Sequence, residues 1–316
     1  MNTLIDKKGI VIGLVVIGLL GVSAAATDDS TIICVAEMDV AWVATDGGQS
    51  FASIPSLAGE SLSAVLVSEG VIYVGGQSGL HVSTDLGATF TLRGSDCGVP
   101  PGGVSAIAQH GGCLYIGTGN SYVGVSEDGG ETFRKLARAA SWVSSILPLE
   151  DVLYVGTGGG LCVSSDGGES FVTRTTENGL AYNLVYSIAA DDMGLYVGTL
   201  HGLSISTDGG ETFINRTTED GLPSNRVEAV CVNEGVMYIG TQTGLTISYD
   251  GGTTFEAKGR DGGLSTGMVR SIAVCDGAVY VYVGGDVFVS FDACETFQEL
   301  STDAFNAATA RSMSVE

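Results

Sequence analysis

A glutamate, three arginines, a tyrosine and a histidine in the second half of the chain have side chains suited to binding an anion or a sugar. Arginine recognises carboxylate and phosphate groups through paired N–H donors, and a neighbouring carboxylate accepts bonds from hydroxyl groups. The candidate ligand-binding residues are Tyr186, His201, Arg226, Glu228, Arg270 and Arg311. The alternative is that the charged members pair with one another as structural ion pairs, and that His201 is a solvated loop residue.

Catalysis in the same region would require paired carboxylates. A glycoside hydrolase uses two carboxyl groups across the scissile bond, and the candidates are Glu219, Asp220, Glu228 and Asp286. The sequence contains no nucleophile elbow, zinc motif or phosphate-binding loop, and its seven cysteines form no spaced metal-binding motif. We therefore predict no catalytic residue, no metal and no cofactor.

A further set of aspartates recurs at a regular interval. The octapeptide STDGGETF at residues 206–213 has seven variants along the chain, with aspartates spaced 38–43 residues apart. These are Asp46, Asp85, Asp128, Asp166, Asp208, Asp250 and Asp292. One carboxylate per turn provides too few oxygens for Ca²⁺, whereas an aspartate in a tight turn accepts bonds from nearby backbone N–H groups. We predict a structural role for all seven.

The interval between the aspartates predicts the fold. A period near 40 residues with four short strand-like segments per unit is typical of a β-propeller. In the fifth unit, residues 185–189, 195–199 and 203–206 have the alternation of strands, and a fourth strand begins at Phe213. The prediction is an all-β, seven-bladed β-propeller of four-stranded antiparallel blades over residues 27–316.

The two ends of the repeated region predict how the ring closes. The innermost strand of the first unit would fall within residues 1–26, and the chain continues beyond the seventh unit. There, the segment ARSMSV at residues 310–315 matches the innermost strand VRSIAV at residues 269–274. We predict that the C-terminal strand completes blade 1, because closure removes edges that would otherwise promote aggregation.

Residues 1–26 have the composition of a signal peptide. Lys7 and Lys8 precede an apolar run over residues 10–22, and small residues follow at 23–26. The run of 13 residues is short for a membrane span, and an uncleaved anchor is the alternative. Either reading predicts an exported protein that is extracellular, periplasmic or at the cell surface.

The net charge of the chain restricts the classes of partner that it can bind. The chain has a net charge of −23 at pH 7, which opposes binding to nucleic acid and to anionic lipid. We expect no nucleic-acid partner and no membrane contact beyond a possible N-terminal anchor, and we expect a monomer.

The octapeptide resembles the Asp-box, or BNR repeat, whose pattern is S-x-D-x-G-x-T-aromatic. This repeat occurs in sialidases, sortilin-type receptors, xyloglucan-degrading endoglucanases and a photosystem II assembly factor. The segments 178–199 and 220–241 also look like two-component-regulator propeller repeats. The resemblance implies a propeller whose repeated turns lie opposite the binding face. The first copy has Ala44 where the pattern has serine, and the seventh has Cys294 at the glycine position, whereas Leu86 replaces a glycine at a variable position that the family tolerates. The Arg-Ile-Pro segment of sialidases is absent.

These observations predict an exported, non-catalytic β-propeller that acts as a protein- or carbohydrate-recognition or assembly module. One alternative is a glycoside hydrolase of sialidase-like or endoglucanase-like type, although the endoglucanase relatives are built from two propellers. The other is a structural component of the cell envelope or matrix. None of the seven units carries a long insertion of the kind that enzymes on this scaffold use to build clefts.

Overall fold

The regular structure of the chain is almost entirely β-strand. The structure is a computed structural model that describes residues 21–26, 31–37, 40–46, 51–259 and 261–300. Within these residues, 28 strands form seven four-stranded sheets, and the strands of each sheet follow the order of the chain. Successive strands are antiparallel. The predicted all-β fold with seven four-stranded antiparallel blades is confirmed.

Each blade is numbered by its place in the chain. Blades 1 to 3 contain β1 (Gly21–Ala26), β2 (Thr31–Glu37), β3 (Val40–Ala44), β4 (Ala52–Ser53), β5 (Leu62–Ser68), β6 (Val71–Gly76), β7 (Gly79–Ser83), β8 (Thr91–Arg93), β9 (Val104–His110), β10 (Cys113–Thr118), β11 (Tyr122–Ser126) and β12 (Arg134–Arg138). Blades 4 and 5 contain β13 (Val143–Leu149), β14 (Val152–Thr157), β15 (Gly160–Ser164), β16 (Val172–Arg174), β17 (Val185–Asp191), β18 (Gly194–Thr199), β19 (Gly202–Ser206) and β20 (Ile214–Arg216). Blades 6 and 7 contain β21 (Val227–Asn233), β22 (Val236–Thr241), β23 (Gly244–Ser248), β24 (Glu256–Lys258), β25 (Val269–Cys275), β26 (Ala278–Val283), β27 (Asp286–Ser290) and β28 (Gln298–Glu299).

Short 3₁₀ helices occur in four of the connections between blades. They are η1 (Pro55–Leu57), η2 (Ser95–Cys97), η3 (Thr176–Asn178) and η4 (Thr218–Asp220). In the described part of the chain, no helix has the length and apolar character needed to cross a membrane.

The innermost strands form a closed ring. The first strand of each blade lies against the first strands of both neighbouring blades, and β1 lies between β5 and β25. The Val22 amide donates to Ser271 Oγ over 3.3 Å. The Val230 amide donates to Ser187 Oγ over 3.1 Å between blades 5 and 6. The junction of blades 7 and 1 therefore uses the same bond as an internal junction.

Blade 1 takes its innermost strand from residues 21–26. The sequence predicted residues 310–315 for this position, and those residues lie outside the described part of the chain. In the structure β1 pairs with β2 from Gly21↔Ala36 to Ala26↔Thr31. Val22 and Ala24 are buried, as the two-residue period of a strand requires. Because the predicted signal peptide also includes residues 21–26, its cleavage would remove this strand.

The hydrophobic core is divided among the junctions between blades. Among the described residues, seven clusters of buried side chains each join two neighbouring blades. The phenylalanine that ends each repeated turn packs within or against one of these clusters: Phe51, Phe90, Phe133, Phe171, Phe213, Phe255 and Phe297. Full burial of such a side chain contributes about 1.5–3 kcal/mol, so the repeat stabilises every junction in the same way.

A glycine late in the second strand of blades 2 to 6 allows close approach between blades. A Cβ on Gly117 would lie 2.3 Å from Val143 Cγ1, and a Cβ on Gly240 would lie 2.7 Å from Val269 Cγ1. Both valines begin the first strand of the next blade, so a larger residue would push the blades apart. In blade 7 the fully buried Tyr282 occupies this position. The residue of blade 1 that lies against it must therefore be smaller than the valine found at the junctions that follow blades 2 to 6.

One serine and one aspartate hold the repeated turn in each of blades 2 to 7. In blade 3, Ser126 Oγ donates to Asp128 Oδ1 (2.7 Å) and accepts a bond from the Gly130 amide (2.8 Å). Asp128 accepts bonds from the amide (2.9 Å) and hydroxyl (2.6 Å) of Thr132. Corresponding bonds occur in blades 2, 4, 5, 6 and 7. They satisfy donors that the tight turn would otherwise leave without protein partners.

Two of these turns keep their geometry despite a side chain at a usual glycine position. Leu86 and Cys294 have φ of 58° and 66°, in the left-handed region that favours glycine. The Cys294 amide still donates to Ser290 Oγ over 2.9 Å. The departures from the repeat at these two positions are therefore accommodated by backbone strain.

The turns make stability depend on pH below about 4. Bonds from Thr132 and Ser126 lower the pKa of Asp128 from 3.8 to about 2. A depressed carboxyl pKa stabilises the fold above the unfolded-state value, and this stabilisation is lost as the pH falls from about 4 through about 2. We expect Asp128→Asn to lower the melting temperature at pH 6 and to have a much smaller effect at pH 2. Asp151→Asn, an exposed change outside the repeated turns, is the control; an Asp128→Asn effect that is equal at both pH values would contradict this role.

Ion pairs connect the outer strands of neighbouring blades. A basic residue of one outer strand meets the glutamate of the next repeated turn in the pairs Arg93–Glu131, Arg134–Glu169, Arg174–Glu211 and Lys258–Glu295. In blade 6 the glutamate position is Thr253, and Arg216 Nε instead donates to the Gly252 carbonyl over 2.8 Å.

The ion pair that is absent between Arg216 and the repeated turn of blade 6 can be introduced by substitution. Thr253→Glu is expected to raise the stability by about 0.5 kcal/mol or less, because such pairs are solvent-exposed. Melting temperatures at low salt and in about 1 M salt check the prediction, since screening should remove the gain. Thr253→Gln, which lacks the charge, is the control, and an equal gain from glutamine would show that the charge is irrelevant.

Candidate functional site

The antiparallel order of the strands gives the propeller two different faces. The repeated turns and the hairpins between first and second strands lie on one face, which we call the turn face. The connections into each first strand and those between second and third strands lie on the opposite face, which we call the loop face. Backbone bonds join these two kinds of loop within a blade, as from Gln242 N to Arg226 O (3.1 Å) and from Leu200 N to Leu184 O (3.2 Å).

A β-bulge lies where each first strand leaves the loop face. In blades 2 to 7 the pairing of the first and second strands skips one residue: Ser63, Ser105, Ser144, Tyr186, Glu228 and Arg270. Three of them, Tyr186, Glu228 and Arg270, are among the predicted ligand-binding residues, but the sequence pattern did not reveal the bulge. Bulges reorient side chains and are frequent beside binding sites. In blades 3 and 4 the bulged serine donates to the next innermost strand, as Ser144 Oγ does to Val185 O over 2.8 Å.

The bulged residues of blades 5 and 6 meet an arginine at the loop face. Arg226 Nε donates to Glu228 Oε1, and the guanidinium carbon of Arg226 lies 5.2 Å from the centre of the Tyr186 ring. The Glu228 side chain is 4% exposed and that of Arg226 is 35% exposed. Arg226 therefore neutralises a buried carboxylate and also makes a cation–π contact, while part of its guanidinium group faces solvent.

The environment of Tyr186 does not favour nucleophilic chemistry. Burial raises the pKa of the Tyr186 phenol, the Glu228 carboxylate raises it further, and the Arg226 guanidinium opposes these effects. The phenol therefore stays protonated at neutral pH. A tyrosine nucleophile requires the opposite change, and the carboxylate that would act as its base is already bonded to Arg226.

A second aromatic residue extends this cluster across the loop face. The rings of Tyr182 and His201 lie 4.3 Å apart at an angle of 38°. Both side chains are exposed, in contrast to Tyr186 and Glu228. Tyr182 lies in the loop that leads into β17, the strand that carries Tyr186. The cluster thus has an exposed aromatic part and a buried charged part.

The loop that carries Tyr182 is held by its own side chains. Thr175 and Asn178 form a capping box at η3, in which Asn178 Oδ1 accepts a bond from the Thr175 amide over 3.0 Å. Gly179 then reverses the chain at φ 98°, and Leu180 is buried. Asn183 Oδ1 accepts a bond from the Thr176 amide over 2.8 Å. Tyr182 is therefore presented from a rigid loop.

The loop that carries Arg226 has the same construction. Thr217 and Asp220 form the capping box of η4, Gly221 has φ 101°, and Leu222 is buried. Asn225 Oδ1 accepts a bond from the Thr218 amide over 2.7 Å. Little ordering entropy remains to be lost when a partner binds to two such loops.

The structure brings three of the six predicted ligand-binding residues into contact. Arg226 contacts both Tyr186 and Glu228, and His201 contacts Tyr182, which lies on the loop that leads into the strand of Tyr186. Arg270 occupies the bulge of the next blade and is half-buried, and no bond within the described residues links it to the cluster. Arg311 lies outside the described residues. Tyr182 was missed, although an aromatic residue where the matching position of blade 6 has Ser224 was a visible signal.

Two of the four carboxylates considered for glycoside hydrolysis already have bonds to other groups. Asp220 caps η4 through the Thr217 amide, and Glu228 is bonded to Arg226. Glu219 is exposed, and Asp286 begins β27. Within the described part of the chain, no three histidine, cysteine or acidic side chains gather in a way that could hold a metal ion.

Comparison with known proteins supports the fold. No protein-family model matches the chain, and no curated protein matches it in sequence. The extracellular domain of the hybrid two component system BT3049 from B. thetaiotaomicron matches with a TM-score of 0.70 and 19% identity, over 90% of this chain and 42% of that one. An ancestral GH74 enzyme matches with a TM-score of 0.70 and 16% identity, over 92% and 48% of the two chains. YCF48 bound to D1 peptide matches with a TM-score of 0.67 and 14% identity, over 92% and 96%.

These identities establish a shared propeller fold and nothing finer. The chain spans 39–42% of the length of the extracellular sensor domains that it matches. Its length agrees more closely with YCF48 from Cyanidioschyzon merolae, of which it covers 98% at a TM-score of 0.64 and 15% identity. The similar proteins include sensor domains, a peptide-binding propeller and enzymes, so the fold alone does not choose among these functions.

Proposed function

We propose that the protein is an exported, non-catalytic recognition module that binds a protein or carbohydrate partner on the loop face of blades 5 and 6. The observation that carries this proposal is the group of Tyr182, His201, Tyr186 and Arg226 at the loop face, where Tyr182 and Arg226 lie on two rigid loops. Exposed aromatic and arginine side chains on preorganised loops are typical of binding surfaces. Glu228 keeps Arg226 in place.

Export and the absence of catalysis are parts of the same proposal. The composition of residues 1–26 supports export, and sensor domains described as extracellular are among the proteins with the same fold. The protonated state of Tyr186 and the bonded states of Asp220 and Glu228 support binding over hydrolysis. The net charge of −23 favours partners that are neutral or cationic.

Selection from a random peptide library and screening on a glycan array test the proposal. We expect ligands whose affinity falls about tenfold or more in Tyr182→Ala and in His201→Ala, as for central aromatic contacts. Tyr249→Ala removes an aromatic side chain that is 56% exposed on the turn face, and this control should leave binding unchanged. Ligands that depend on Tyr249 and not on Tyr182 would contradict the proposal. Hydrolysis of a chromogenic glycoside that is abolished by Glu228→Gln would instead establish the enzyme.

A further inference from the structure

The chain leaves the outer strand of blade 6 in a different direction from the other blades with comparable loops. After β8, β16 and β20, the next residue is extended and starts a 3₁₀ helix, as Thr217 does at φ −134°. After β24, Gly259 has φ 88°, and the described residues from there to Leu264 contain no 3₁₀ helix. The sequence explains the difference from blades 4 and 5, because Gly259 and Gly262 stand where those loops have the two residues of the capping box.

This departure opens a cavity of about 370 Å³ at the loop face of blade 6. In the blades with a 3₁₀ helix, the outer strand covers the start of the third strand. A Cβ on Gly160 would lie 2.4 Å from Arg174 O, and a Cβ on Gly202 would lie 2.6 Å from Arg216 O. At the equivalent Gly244, a Cβ would meet nothing within 4 Å. The cavity is therefore a feature of blade 6 that these other blades lack.

The cavity has an aliphatic floor and a hydroxyl-bearing rim. Pro223, Leu245, Ala257 and Leu264 provide the apolar surface, and Thr243 and Thr266 lie at the rim. Thr243 Oγ1 already donates to Pro223 O over 3.2 Å. A sugar ring needs several polar partners and commonly an aromatic platform, whereas this surface favours an aliphatic side chain.

Among the described residues around the cavity, carboxylates outnumber basic groups. Lys258 lies at its edge, but its ammonium group is held by Glu256 (2.8 Å) and Glu295 (2.5 Å). Asp261 is exposed on the adjoining loop. An aliphatic side chain that enters the cavity would therefore be favoured by lysine or arginine on either side of it.

The cavity is continuous with the cluster around Arg226. Pro223 is in the same loop as Arg226, and Gln242, next to Thr243, donates its amide to Arg226 O over 3.1 Å. An extended peptide advances about 3.3 Å per residue, so a short segment lying across blade 6 can reach both places. We propose that the cavity is a subsite that takes an aliphatic side chain of a basic, extended peptide, and that the peptide continues over Arg226 toward Tyr182. The subsite rests on the proposed function in using the same face, and it adds the chemistry of the partner.

Short peptides that are confined to the cavity test the subsite. The probes are Ac-Lys-Leu-Lys-NH₂, Ac-Lys-Ala-Lys-NH₂ and Ac-Glu-Leu-Glu-NH₂, titrated into methyl-labelled full chain and followed at the Leu245 and Leu264 signals. We expect the first to bind about tenfold more tightly than either of the others, because alanine leaves the apolar floor uncovered and glutamate is repelled by the rim. Equal binding of the alanine peptide overturns the aliphatic subsite, and equal binding of the glutamate peptide overturns the choice of a basic partner.

Two variants and a matched control locate the binding. Ala257→Trp should fill the cavity and abolish the shifts, whereas Leu92→Trp, at the equivalent exposed position of blade 2, should not. Replacing residues 259–263 with TTEDG, the sequence of residues 217–221, should restore the covering strand and also abolish binding. Unchanged shifts in both cavity variants overturn the subsite. These tripeptides report on the cavity alone, so their result is independent of whether library ligands depend on Tyr182 and His201.

Discussion

A chain that begins at residue 27 and also lacks residues 308–316 is expected to lose its cooperative unfolding transition, whereas a chain of residues 27–316 is expected to remain folded. Each blade needs a first strand, because the hydrophobic clusters and the bonds between blades are built on it. In the full chain β1 supplies the first strand of blade 1. When residues 1–26 are removed, the segment at 310–315 is the part of the sequence that matches this role.

The residues around blade 7 favour the exchange of β1 for residues 310–315 as the first strand of blade 1. Between blades 6 and 7, Gly240 accommodates Val269, whereas blade 7 has the buried Tyr282 at the glycine position. The neighbour of Tyr282 must therefore be small, and aligning 310–315 with 269–274 places Ala310 there. The same alignment matches Ser312 with Ser271, whose hydroxyl bonds to the neighbouring blade.

Thermal unfolding of four chains tests whether residues 310–315 can replace β1. The chains contain residues 1–316, 1–307, 27–316 and 27–307. The first three should each show a single transition, because each keeps one candidate strand, and the fourth should be unfolded or associated through its open edge. Chain 27–316 with Ser312→Pro is the control, since proline in a central strand removes a ladder bond. A chain of residues 27–307 that melts as a monomer at the temperature of 27–316 would contradict the exchange.

Arg226→Ala is expected to destabilise the fold by about 2–3 kcal/mol. The change leaves the Glu228 carboxylate, which is 4% exposed, without its partner. Breaking a fully buried pair costs about 3–5 kcal/mol, and the estimate here is lower because Arg226 is itself 35% exposed. Unfolding in urea at pH 7 measures the loss.

The double variant distinguishes loss of the ion pair from loss of packing. Glu228→Gln removes the charge and keeps the shape, so Arg226→Ala combined with Glu228→Gln should recover most of the stability. Asn225→Ala, which breaks the bond to Thr218 in the same loop, should not be rescued by Glu228→Gln. An Arg226→Ala variant as stable as the original chain would show that Glu228 does not require the guanidinium group.

The blades were predictable because their signals are local. The alternation of strands and the spacing of Asp128, Asp166 and their counterparts lie within single units of about 40 residues. The positions of Tyr186 and Glu228 on innermost strands followed from the same pattern. The pairing of Glu228 with Arg226 was one of the two alternatives that the sequence left open.

Features that depend on contact between distant segments were not predictable. The bulge at Tyr186 arises from pairing between two strands, and the need for Gly240 arises from the next blade. The proposed role of Tyr182 depends on its contact with His201, which lies in a different loop. The first strand of blade 1 is the sharpest case, because residues 21–26 match both a signal peptide and a strand, and local pattern cannot choose between them.

Amide hydrogen exchange of the full chain, alone and saturated with a ligand selected from the peptide library, tests the central claim most directly. Binding on the loop face predicts slower exchange in residues 175–184, 200–203, 217–226 and 242–243, with no change in the repeated turns. Protection centred on the repeated turns, or recovery of a cleaved ligand, would contradict a recognition site on the loop face of blades 5 and 6.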